Sequence, residues 1–209
     1  MTLGNGVTME GTSYFPESIS FTNLTLYYGK GNMSKAIFSD KSLDRNDVAG
    51  KVVICDSYLV DSSQQISEVE RAVAYAAIFL SNISISLSLE NYTFPCLTLP
   101  DSSGTIVKEY VARMRNPKVK SIRFVLTKFG TKPAPQVAFF SSAGPNPFTP
   151  GILKTDIIAP GMDVLAAFNP NVPFVTVGNY DLVTDYALKW GTSMSTPIVA
   201  GSFIESNSP

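Results

Sequence analysis

The chain has 209 residues, a formal net charge of −1, two cysteines and no histidine. Without an imidazole, these residues alone can run neither Ser-His-Asp hydrolysis, nor histidine acid–base chemistry, nor a histidine-ligated zinc site. Hydrophobic residues make up 44% and charged residues 16%, a globular composition with no basic cluster for nucleic acid and no apolar run long enough to span a bilayer.

In chain order, Thr2-Leu3 reads as a strand closed by the turn Gly4-Asn5-Gly6. Both ends read as cuts: no signal peptide opens the chain, and it stops soon after an apolar helix has begun. From about Phe21 to Lys128 the pattern predicts a compact α+β unit. Val52–Cys55 is a short buried strand. Ser67–Leu80 carries helical spacing, with Val69, Ala72, Val73, Ala76 and Ala77 on one face, and Ile78-Phe79-Leu80 as a following strand. Cys96–Leu99 is another short apolar segment. Asp101 or Ser102 caps a helix over Ser103–Arg113, with Ile106, Val107, Tyr110 and Val111 inward. Ser121–Thr127 alternates as a strand. Strands and helices in this order predict a small sheet with helices packed on it. The proline-bearing residues 130–135 then separate this unit from a second. There, Val137–Phe140 reads as a buried strand, Asp156–Ala159 and Val164–Phe168 as further apolar runs, and Tyr186–Trp190 as the approach to a Gly-Thr-Ser turn and a helix.

The segment GTSMSTPIVAGSF, Gly191–Phe203, is the sharpest local signal. Gly191 permits close backbone approach, and Thr192-Ser193 falls at a helix N-terminus, where open N–H groups and the helix dipole favour negative charge. Pro197 is expected in the first turn, where its missing N–H costs little. A serine so placed has an exposed hydroxyl and a neighbouring N–H for an oxyanion. In isolation, the same three residues describe an ordinary N-cap. Cys55 and Cys96 are open to pairing or to remaining thiols, and their positions do not point to a metal site; no metal or cofactor is expected. Tyr27-Tyr28 and Phe139-Phe140 read as buried strand aromatics, and the basic residues of Lys118–Lys128 as a solvated strand face.

These motifs resemble the subtilisin-like serine proteases (peptidase S8), most closely the plant type. GTSMSTPIVAG resembles the nucleophile segment of that family, where the fifth place is Ser or Ala, and it puts Ser193 at the nucleophile's place. Val137–Phe168 resembles the strand, the Ser-Ser-x-Gly-Pro loop and the Lys-x-Asp-Ile-x-Ala-Pro-Gly run. TLGNG with GTSYFP resembles the end of the first part of the catalytic domain, and GKVVICD with PDSSGTIVKEYV the inserted protease-associated (PA) domain.

The resemblance implies an α/β subtilisin-like parallel sheet with helices, present in part, carrying a small α+β PA domain. Residues 1–20 would end the first part of the catalytic domain, 21–128 form the PA domain and 129–209 the later part of the catalytic domain. It implies a secreted, apoplastic serine endopeptidase acting on protein or peptide substrates through Ser193, whose backbone N–H serves the oxyanion. Nucleic acid and membrane are not expected partners. A homodimer or another protein contact through the PA domain is.

The family's catalytic Asp and His and its oxyanion Asn have no counterpart in this chain. Asp156, Asp163, Asp181 and Asp185 do not replace the Asp, because no His exists for them to orient. Ile198 stands where the family usually has a His outside the triad, Ala143 where plant members often have Arg, and Lys189-Trp190 in place of a small polar pair. The chain alone is therefore expected to be inactive. The alternative is a non-catalytic remnant serving as a PA-type interaction module. Asn23, Asn32, Asn82 and Asn91 open four N-x-Ser/Thr glycosylation sequons.

Overall fold

The computed structural model describes residues 1–15, 17–56, 62–81, 94–124, 137–138, 140–152, 156–177 and 180–206. The chain divides into two compact units, Met1–Phe129 and Gly130–Pro209.

The first unit is built on β1 (Thr2–Leu3), β2 (Ser20–Tyr28), β3 (Val52–Asp56), β4 (Ala76–Leu80), β5 (Cys96–Leu99) and β6 (Lys118–Arg123). They form one sheet of order β1-β6-β2-β3-β4-β5. The pairs β2–β3, β3–β4 and β4–β5 are parallel, while β6 runs antiparallel to both β1 and β2. The class is thus mixed α/β with a mostly parallel sheet. Short helices α1 (Met33–Ala36) and α2 (Arg45–Val48) lie between β2 and β3, α3 (Ser62–Arg71) between β3 and β4, and α4 (Asp101–Arg113) between β5 and β6.

Parallel strands are apolar on both faces when helices cover both. Val52–Cys55 and Ala76–Leu80 have no exposed position for this reason. Successive side chains alternate between two cores. Val52, Ile54, Ala76, Ile78, Leu80, Leu97 and Leu99 meet Val107 and Tyr110 of α4 on one face. Val53, Cys55, Ala77, Phe79 and Cys96 meet Ile66 and Val69 of α3 on the other. Burying one such aliphatic or aromatic side chain contributes about 1.5–3 kcal/mol. Tyr110 also fixes the return of the chain: its hydroxyl donates to the Lys118 carbonyl at 3.1 Å and accepts from the Lys118 amide at 3.2 Å.

Several element boundaries differ from the sequence reading. The helix between β3 and β4 is Ser62–Arg71, and Ala76 and Ala77 belong to β4. α4 starts at Asp101 behind Pro100, with no side-chain cap bond, and Ile106 faces solvent while Gly104 packs on Leu80. β6 begins at Lys118, because its inward positions are Val119 and Ile122; residues 125–127 lie outside the described ones.

The second unit contains β7 (Val164–Ala167), β8 (Val175–Val177), β9 (Tyr180–Leu182), β10 (Tyr186–Lys189) and α5 (Thr192–Ser206). β7 pairs antiparallel with β10, and β8 with β9. Val137 is not in a strand: it has no ladder partner and is exposed. Ile157 and Ile158 are likewise exposed and outside any strand. Phe139 and the linking residues 130–135 lie outside the described ones.

Candidate active site

β10 delivers the chain to the Gly-Thr-Ser turn and α5 carries it away. Gly191 sits at φ 133°, a backbone region that side-chain-bearing residues rarely enter. Its amide donates to the Gly161 carbonyl at 2.8 Å, and the Met194 amide returns to the Gly191 carbonyl at 3.0 Å. α5 opens at Thr192, so Ser193 stands in its first turn with its side chain exposed. The amides of that turn have no intrahelical acceptor and point where anionic charge is stabilised. No hydrogen bond to the Ser193 hydroxyl is made among the described residues. The arrangement presents a hydroxyl and an amide and, among the described residues, no proton acceptor bonded to that hydroxyl.

Pro197 is the sixth residue of α5, not part of its first turn. An amide there would have bonded the Ser193 carbonyl, four residues earlier, so the proline removes one helical bond from Ser193 itself. Thr196 Oγ1 donates to the Thr192 carbonyl at 2.9 Å, and Ser195 Oγ to the Ala159 carbonyl at 3.2 Å. Pro160-Gly161 therefore lies against the turn.

The two residues before Gly191 are enclosed by aromatic rings. Trp190 lies 5.2 Å from Phe140, centroid to centroid. Lys189 Nζ stands 4.8 Å from the Phe168 centroid and 5.6 Å from that of Phe174, and those two rings meet edge to face at 5.5 Å. The sequence flagged Lys189 and Trp190 as departures. It gave no sign of the Phe168 and Phe174 partners, which β7 and the following turn bring in. Asp156, Asp163, Asp181 and Asp185 are all exposed.

The two cysteines are not bridged: both are buried thiols. Cys55 of β3 aligns with Phe79 of β4, whereas Cys96 of β5 aligns with Ala77. Two strand spacings and a two-residue offset along the strands put them about 12 Å apart, beyond disulfide reach. Burial pushes the Cys96 thiol up to about 12 and raises Cys55 as well, helped by the neighbouring Asp56 charge. No group of three or more Cys, Asp or Glu side chains is placed to hold a metal ion among the described residues. No helix among them is long and apolar enough to cross a membrane.

Of the sequon asparagines, Asn23 and Asn32 are exposed. Asn23 accepts from Lys118 Nζ at 3.2 Å, and Asn32 caps α1 through Oδ1 to the Lys35 amide at 3.2 Å. Asn82 and Asn91 lie outside the described residues.

A family profile described as the subtilase family (Peptidase_S8) matches residues 28–205. The chain belongs to the subtilase family. Among subtilases, subtilisin-like protease SBT3.2 of Arabidopsis thaliana is 36% identical over 209 residues, covering 96% of this chain and 27% of that protein. Subtilisin-like protease SBT3 of Solanum lycopersicum is 36% identical over 202 residues, covering 96% of this chain and 26% of that one. The chain thus spans about a quarter of the length of these relatives. A solved aminopeptidase from Aneurinibacillus sp. strain AM-1 aligns with 58% of this chain and 30% of its own at TM-score 0.38 and 14% identity, too distant a likeness to carry an argument.

Proposed function

We propose that this subtilase chain is a portion of a secreted serine endopeptidase, with Ser193 as its nucleophile. Ser193 Oγ attacks a peptide carbonyl, forming the O–C bond of an acyl-enzyme as the C–N bond breaks, and its proton passes through a base to the leaving amine. The Ser193 amide is one donor to the oxyanion. The base, the carboxylate that orients it and the second oxyanion donor come from outside these 209 residues. Residues 21–128 form the PA domain, a surface for protein contact or dimerisation, and 1–20 and 129–209 are parts of the catalytic domain. The sequon asparagines carry glycans in an extracellular, apoplastic protein.

The observation that carries this reading is the exposed Ser193 in the first turn of α5, inside the matched span 28–205. A fluorophosphonate probe tests it. The isolated chain leaves Ser193 unlabelled, because it holds no imidazole to activate the hydroxyl. Stoichiometric labelling of Ser193 in the isolated chain refutes the need for an outside base. The transcript upstream of Met1 supplies the other arm: in-frame Asp and His segments support the protease, and their lack leaves the non-catalytic module.

A further inference from the structure

The proline in α5 raises the question of what holds Ser193 still. Helical residues are fixed from both sides, by their own amide and by the amide four residues on. The Ser193 amide lies in the open first turn, and Pro197 has no amide to donate to the Ser193 carbonyl four residues earlier. Two tethers outside the helical ladder take over. One leaves Gly191 for the Gly161 carbonyl at 2.8 Å, and the other leaves Ser195 Oγ for the Ala159 carbonyl at 3.2 Å. They start two residues before and two residues after Ser193, and both end on the segment Ala159–Gly161. A Cβ at Gly161 would collide with Ser195 Oγ and come within 3.0 Å of the Gly191 carbonyl oxygen, so a glycine there is what admits both contacts.

We propose that Ser195 is a positioning residue whose hydroxyl bond to Ala159 locks the turn presenting Ser193. This rests on the reading of Ser193 as nucleophile. Ser195 touches no reacting atom and acts only through the geometry of the turn. The family pattern that this segment resembles has proline at the place of Pro197 and takes Ser or Ala at that of Ser195, so the bond is an addition made by a serine-bearing chain and not a family requirement.

Backbone amide exchange on the whole 209-residue chain tests the proposal. Ser195→Ala removes one hydroxyl bond and is expected to speed exchange of the Gly191 and Met194 amides about three- to tenfold. The β7–β10 ladder amides of Ala166 and Ala187 keep their rates. Ser195→Thr retains the hydroxyl and restores slow exchange. Gly161→Ala crowds the Ser195 hydroxyl and the Gly191 carbonyl together and is expected to speed both turn amides at least as much as Ser195→Ala. The proposal is overturned if Ser195→Ala leaves the two turn amides within about twofold of the parent rate. It is overturned equally if Thr fails as Ala does, or if the acceleration spreads evenly through β7, β10 and α5, which marks general loss of packing. Exchange needs no chemistry at Ser193, so the outcome is independent of the probe experiment that tests the nucleophile.

Discussion

Glu68 is a carboxylate whose side chain keeps only 2% of its exposure, with Arg71 beside it. Its oxygens accept from the Leu43 amide at 2.7 Å, the Lys41 amide at 3.1 Å and both Nε and an Nη of Arg71 at 2.7 Å. Arg71 also donates to the Leu43 carbonyl at 2.7 Å, so the pair pins residues 41–43 onto α3. Burial by itself would raise the Glu68 carboxyl; the Arg71 bond and the two backbone donors outweigh it and leave it below the ordinary value. A depressed carboxylate stabilises the fold above its unfolded value, about 4.3, and that contribution is lost as pH falls through the lower folded value. Acid unfolding of the parent therefore steepens below about pH 4, and Glu68→Gln flattens that part of the profile. Glu68→Ala at pH 7 strands two backbone amides and is expected to cost about 2–3 kcal/mol in a urea melt. A change under about 0.5 kcal/mol would sink the idea that Glu68 organises this loop. Read from spacing alone, Glu68 and Arg71 are an ordinary surface pair of a helix; the loop folded over them makes the difference.

The end of α3 explains the largest departure from the sequence pattern. The Ala74 amide bonds the Val69 carbonyl at 3.2 Å and the Val73 amide the Glu70 carbonyl at 2.9 Å, the double bond of a Schellman stop. The residue in the left-handed position is Val73, at φ 60°. Glycine is the usual occupant, so no sequence signal marked the stop, and the run of Ala and Val continued the apolar period through it. The same residues are buried whether they lie on a helix or in β4, which is why Ala72, Ala76 and Ala77 were legible as core while their element was not. In the second unit the Gly-Thr-Ser turn and its helix were legible because glycine, hydroxyl and helix onset are local chemistry. The aromatic enclosure of Lys189 was not, since it is set by strand pairing. A β-branched residue held at positive φ is strained by about 1–2 kcal/mol, and glycine's own entropy recovers part of that. Val73 is half exposed, so little packing is lost on its removal. Val73→Gly is expected to stabilise the chain by about 0.5–1 kcal/mol, read as a higher urea midpoint at unchanged slope. A lower midpoint would show that Val73 contributes packing that its exposure conceals.

Core is distributed unevenly between the two units. Both buried clusters belong to the first, while Ala187 is the one buried hydrophobic residue of the second among the described residues. Phe148, Ile158, Leu165 and Phe203 of the second are largely exposed. Apolar surface of that kind supplies little free energy to hold a backbone closed against a protease. Limited proteolysis is therefore expected to degrade residues 130–209 first and to leave a fragment from the first unit. The sheet also decides where that fragment begins. Leu3 is fully buried in the larger cluster, β1 covers the outer edge of β6, and Thr12 bridges to Thr98 beside β5. Residues 2–12 are thus held at both edges of the sheet, and the surviving fragment keeps Met1. Deleting residues 1–12 opens the β6 edge and removes the Leu3 side chain, costing at least about 2 kcal/mol and exposing a strand to edge pairing. The measurement is the N-terminal sequence of the resistant band together with the melt of the truncated chain. A band starting near Phe21 with an unchanged melt would mean that the sheet is complete without β1, and uniform digestion would mean that the first unit has no stability of its own.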